Sequence, residues 1–142
     1  MNKINNTILS LASAILFFSF TSFNKHEVKY EINNPTDKKI YGLGDTIFIK
    51  GKVSANDHLH NVNIKITRDD NQTELFYKNI HTHSNSENIN LYYVNYLREN
   101  VGLTVKISTS GHDGIENSSK SIQVSTKYKA KNTKTKTKKK SK

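Results

Sequence analysis

From residue 28 to residue 125 apolar and polar residues alternate in short runs separated by turn formers, the period-two pattern of half-buried strands. Val28, Tyr30 and Ile32 alternate in a first strand, which Asn33-Asn34-Pro35-Thr36-Asp37 ends; Pro35 is the only proline in the chain. A second strand over Thr46 to Ser54 follows Gly44-Asp45, and its run Ile47-Phe48-Ile49 predicts cover on both faces. The third, residues 62 to 68, alternates most regularly: Val62, Ile64 and Ile66 turn inward, while Asn63, Lys65 and Thr67 turn outward. After Asp69-Asp70-Asn71-Gln72 come strands over Glu74 to His83, Ile89 to Leu97, Leu103 to Thr109 and Ser121 to Ser125. In Leu91 to Leu97 the alternation fails, and a short helical segment is the competing expectation there. Seven strands in about 100 residues predict an all-β fold, an immunoglobulin-like antiparallel β-sandwich.

The two ends of the chain break this pattern. Lys3 precedes an uncharged run from Ile8 to Phe20, ILSLASAILFFSF, and a polar stretch follows. As a helix this run would cover about 20 Å against a hydrocarbon thickness of about 30 Å, so residues 1 to 22 read as a signal peptide. Ser19 and Thr21 fit the cleavage places, and an uncleaved membrane anchor is the alternative. The expected domain therefore spans residues 26 to 126, and the expected location is the periplasm, the cell surface or the medium. Residues 127 to 142, KYKAKNTKTKTKKKSK, hold nine lysines and no acid, and predict a disordered polybasic tail.

Charge changes the picture only once it is located. The net charge is +10 over 142 residues. Between His26 and Thr126 eleven Lys/Arg face twelve Asp/Glu, so the domain is near neutral and the excess lies mainly in the tail. Lys127, Lys129, Lys131, Lys134, Lys136, Lys138, Lys139, Lys140 and Lys142 are candidate contacts for anionic envelope lipid or polysaccharide, with strong salt dependence. Specific nucleic-acid recognition is not expected, because no aromatic platforms interleave with the lysines. A solubilising tail is the simpler reading of the same residues.

Cysteine is absent, which excludes disulfides, thiolate metal sites and thiol nucleophiles, and leaves histidines and carboxylates as ligands. Counting strand directions sends Asp57, His58 and His60, then His81 and His83, then His112 and Asp113, to one end of the sandwich. His81 and His83, two apart on a strand, would project from one face; His60, His112 or His58 would supply a third imidazole. Asp57, Glu87 and Asp113 could ligate or orient a ring. An imidazole-rich site without thiolates suits Zn²⁺ or Cu²⁺. The plainer reading leaves His58, His81 and His83 in water, puts His60 at the mouth of the core in phase with Val62, and makes Asp113-Gly114 a hairpin turn. His26 receives no role. Tyr92, Tyr93 and Tyr96 could stack on sugar, although strand alternation should bury at least one of them.

The stretch from Asn34 to Ile66, through Pro35, Gly44-Asp45, Gly51 and Leu59-His60, resembles the opening of Ig-like modules in bacterial surface and secreted proteins. More narrowly, His81-x-His83, Tyr92-Tyr93-Val94-Asn95 and His112-Asp113-Gly114 resemble an uncharacterised family of small exported bacterial Ig-like domains rich in histidine. The resemblance spans residues 28 to 125 and implies the fold and the exported location, but no activity. No nucleophile elbow, phosphate loop or HExxH motif occurs, so an enzyme is not expected. The expected function is a noncatalytic binding or adhesion module with an unknown protein partner and a transition metal held by its histidines. The alternative is an envelope-associated protein in which the lysine tail binds and the sandwich is a spacer.

Overall fold

The computed structural model describes residues 26 to 130, which form eight strands and no helix. The expected signal segment and the tail from Lys131 onward lie outside the described residues. The strands are β1 (Val28–Asn34), β2 (Lys39–Gly42), β3 (Thr46–Ala55), β4 (Asn61–Arg68), β5 (Glu74–His81), β6 (Ser86–Val94), β7 (Gly102–Ser110) and β8 (Glu116–Lys127). They make two sheets, one ordered β1-β3-β6 and the other β2-β8-β7-β4-β5. Neighbours that are distant in sequence, β3 with β6 and β4 with β7, give the crossed connections of an immunoglobulin-like sandwich.

The alternation seen in the sequence packs these sheets together. Ile47, Ile49 and Val53 from β3 face Val62, Ile64 and Ile66 from β4 and Leu103, Val105 and Ile107 from β7, all without solvent exposure. Each such aliphatic side chain contributes about 1.5–3 kcal/mol on burial. Gly51 shares the inward parity of Ile49 and Val53, and there a side chain has no room: a Cβ would collide with the Glu31 carbonyl oxygen and lie 2.8 Å from Ile32 Cα. The register of β1 against β3 shifts between Ile32 and Asn34 at this point, so the β1 backbone crosses where a side chain would stand.

Besides β5, which stops at His81, three elements differ from the sequence reading. An eighth strand, β2, follows Pro35 and pairs in parallel with β8, so the chain leaves one sheet edge and joins the other. Strand β8 begins at Glu116 rather than Ser121, because the β7 ladder holds Glu116 to Ser121 although that stretch has no apolar residue to bury. It also runs through Lys127, and the Tyr128 N–H donates to Asn100 Oδ1 at 2.8 Å, so the fold extends beyond Thr126. Finally, β6 spans Ser86 to Val94, with no helix over residues 91 to 97.

Asn95 explains where β6 stops. Fully buried, it donates from Nδ2 to the Gly42 carbonyl at 2.8 Å, and its Oδ1 accepts the Leu97 N–H at 3.1 Å. Its main chain pairs with Gly44 and Asp45 at 2.7 and 2.9 Å. All of its polar groups are satisfied within one turn, which ties the end of β6 to the loop before β3. This pole also carries Arg68, held by Asp70 and Glu99, each at 2.6 Å.

Candidate metal centre

At the opposite pole, pairing extends past the strand ends. Asn61, the first residue of β4, lies opposite both His81 at the end of β5 and Ser110 at the end of β7. Beyond it, the Thr82 N–H donates to the His60 carbonyl at 3.0 Å and the Leu59 N–H to the Ser84 carbonyl at 2.9 Å. Leu59 is buried in the core and anchors that loop. Strand β5 ends at His81, two residues earlier than the alternation predicts, so His83 stands on the loop rather than on the strand.

The Asn61 side chain ties the three histidine-bearing segments together. Its Nδ2 donates to the Gly111 carbonyl at 3.1 Å, which fixes the orientation of the amide. Its Oδ1 then faces His81 Nδ1 at 3.3 Å. An amide oxygen only accepts, so this contact is a hydrogen bond when His81 carries a proton on Nδ1, the arrangement that turns Nε2 toward a metal in histidine sites.

His60, His83 and His112 each offer a nitrogen, and the three atoms lie within 4.8 Å of one another. Their rings are close: 3.9 Å between the centroids of His60 and His112, and 5.7 Å from His83 to each of the others. The His81 ring is 4.8 Å from that of His83 and 6.3 Å from that of His112. Nitrogens about 2.0–2.1 Å from a tetrahedral zinc stand about 3.3 Å apart. The three imidazoles therefore need to close by about 1–1.5 Å, a movement open to the exposed side chains His83 and His112 by rotation about χ1 and χ2.

The remaining candidates lie around this group. His58 is exposed, with Nε2 3.7 Å from an Asp57 carboxylate oxygen. Asp113 turns back on its own loop, accepting the Ile115 N–H at 2.9 Å, within a turn that Gly114 completes at φ 75°. Glu87 lies on β6 opposite Val53, in the other sheet. Of the tyrosines, Tyr93 packs against the core with its ring 6.3 Å from Phe76, while Tyr92 and Tyr96 are exposed at the other pole. Lys127 ends β8 at that pole and Lys129 follows; the other seven candidate lysines lie outside the described residues.

His26 was missed by the sequence reading. With Asp57, His58 and His60 it lines a recess of about 170 Å³, so all six histidines gather at one pole. The antiparallel pairing of Val28 with Ala55 puts the start of β1 beside the end of β3. Applied to the first strand, the same direction count would have found it.

His60 is the half-buried member. Its Nδ1 is closed off from solvent with no hydrogen-bond partner among the described residues. Burial, then the neighbouring charges of His112, His83 and His58, lower its pKa below 6.5, and Asp57 opposes them weakly. Below pH 6.5 the unfolded chain therefore binds more protons at this position than the folded one. The metal-free protein should keep this contribution to stability above that pH and lose it progressively below. Chemical denaturation between about pH 8 and pH 5 tests this; a midpoint that does not fall on the acid side contradicts it.

No protein-family model matches the chain, and no curated protein matches it.

Proposed function

We propose that the protein is an exported, noncatalytic β-sandwich module that binds a divalent transition metal, Zn²⁺ or Cu²⁺, at its histidine pole. The observation that carries this reading is the convergence of His60, His83 and His112 from three separate loops, their nitrogens within 4.8 Å. His60 supplies a neutral, partly desolvated imidazole, so little proton competition attends its binding at neutral pH. His83 and His112 close onto the ion, and His81, oriented by Asn61, adds a fourth nitrogen or leaves that position to water. Imidazole donors without thiolate favour Zn²⁺ and Cu²⁺ over Mg²⁺ or Ca²⁺. Export rests on the apolar run Ile8 to Phe20 behind Lys3. Membership of the histidine-rich exported family rests on the three motifs it shares with this chain.

Calorimetry with Zn²⁺ at neutral pH tests the reading. The expected result is about one ion per chain, lost in His83→Ala and in His112→Ala. In His81→Ala affinity should fall only about tenfold, in keeping with a supporting place. Absence of binding by the parent, or His83→Ala binding as the parent does, would remove the site.

A further inference from the structure

The pole opposite the histidines exposes apolar surface that the metal reading leaves without a role. Ile40 is 58% exposed, Leu43 45% and Tyr96 73%. They are neighbours: Leu43 and Tyr96 adjoin the hydrogen-bonded pair Gly44 and Asn95, and Asn95 also holds the Gly42 carbonyl beside Leu43. Phe48 and Tyr92, directly paired across β3 and β6, are also exposed, but on the outer face of the other sheet. Single exposed apolar residues are ordinary, but Ile40, Leu43 and Tyr96 grouped at one end of a small domain mark a contact surface.

Two lysines border it. Ile40, Gly42, Leu43, Lys127 and Lys129 line one depression. Of the acidic groups at this pole, Asp70 and Glu99 are paired with Arg68, while Asp45 and Asp69 accept the Gly42 N–H and the Thr104 hydroxyl, each at 2.6 Å, and keep their charge. The described residues end close to this depression, and residues 131 to 142 add seven further lysines and no acid. Exposed aliphatic and tyrosyl side chains rimmed by lysine are the composition that partitions into the headgroup zone of an anionic bilayer. An acidic polysaccharide would engage the lysines but give Ile40 and Leu43 no apolar medium.

We infer that this pole docks on an anionic lipid membrane, with Ile40, Leu43 and Tyr96 entering the interface and Lys127 and Lys129 neutralising headgroups. The histidine pole then faces away from the bilayer. This docking is independent of metal binding, and either can fail without the other.

Co-sedimentation with phosphatidylcholine vesicles, with and without about 30% phosphatidylglycerol, tests the proposal. The chain used begins at residue 22, since among the described residues the core lies between Val28 and Val124. Binding should require phosphatidylglycerol and weaken as salt rises. Ile40→Thr/Leu43→Ser/Tyr96→Ser, which leaves every charge in place, should bind at least tenfold more weakly with an unchanged thermal midpoint. Removal of residues 131 to 142 should also weaken binding at least tenfold. A triple variant that binds as well as the parent would overturn the docking pole and leave an attraction by the tail alone. Retention on an acidic polysaccharide without vesicle binding would overturn the lipid assignment.

Discussion

Alanine at His60 should weaken Zn²⁺ binding at least about 100-fold and make the metal-free protein less sensitive to acid. Structural zinc sites are worth about 10–16 kcal/mol over three or four ligands, so one ligand carries about 3 kcal/mol, or a factor of about 100. Of the proposed ligands, His60 is the one least able to be replaced by a neighbour, because its backbone is fixed by the bond from Thr82 and by the buried Leu59 beside it. Its removal also takes away a half-buried imidazole that resists protonation, so the fall in stability below pH 6.5 should shrink. A chelator competition titration gives the first effect and denaturation at two pH values the second. If His60→Ala kept the parent affinity, the site would have to be built from His81, His83 and His112 alone.

Gly51→Ala should be the most damaging single methyl addition in the sandwich. The new Cβ meets the Glu31 carbonyl oxygen and Ile32 Cα, main-chain atoms that can move only if β1 separates from β3. Overpacking against side chains typically costs 1–3 kcal/mol; against backbone a loss of about 3 kcal/mol or more is expected. For a domain of about 100 residues that lowers the thermal midpoint by about 12 °C or more. Gly44→Ala is the control: Gly44 has φ 85° but nothing within 4 Å of its would-be Cβ, so only the left-handed conformation is penalised, at about 1–2 kcal/mol. Equal losses for the two variants would contradict this account of the β1–β3 contact.

The inward residues of β3, β4 and β7 were legible because strand alternation and burial share one period. Strand β2 was not: of Lys39-Ile40-Tyr41-Gly42 only Tyr41 is buried, Ile40 points outward, and parallel pairing at a sheet edge leaves no hairpin signal. The first half of β8 was hidden for a related reason, since Glu116 to Ser121 is held by backbone pairing with β7 and by the 2.8 Å contact of Lys106 with Glu116. For the site, counting strand directions brought His58, His60, His81, His83 and His112 to one end, because direction depends only on the number of strands between them. The choice among them was not legible. It depends on where β5 stops, and on Asn61, whose amide ties the segments of His81 and His112 through contacts 20 and 50 residues away in sequence. No spacing rule points to an asparagine in that role. Asp113 was a candidate by proximity, and one of its carboxylate oxygens accepts the Ile115 N–H in its own turn.

X-ray absorption at the zinc edge of the loaded full-length protein tests the central claim most directly. The account predicts three or four nitrogen or oxygen neighbours at about 2.0–2.1 Å, with the outer-shell scattering of at least three imidazoles, and no such site in His112→Ala. A first shell with one imidazole or none, or a spectrum that His112→Ala leaves unchanged, would contradict it.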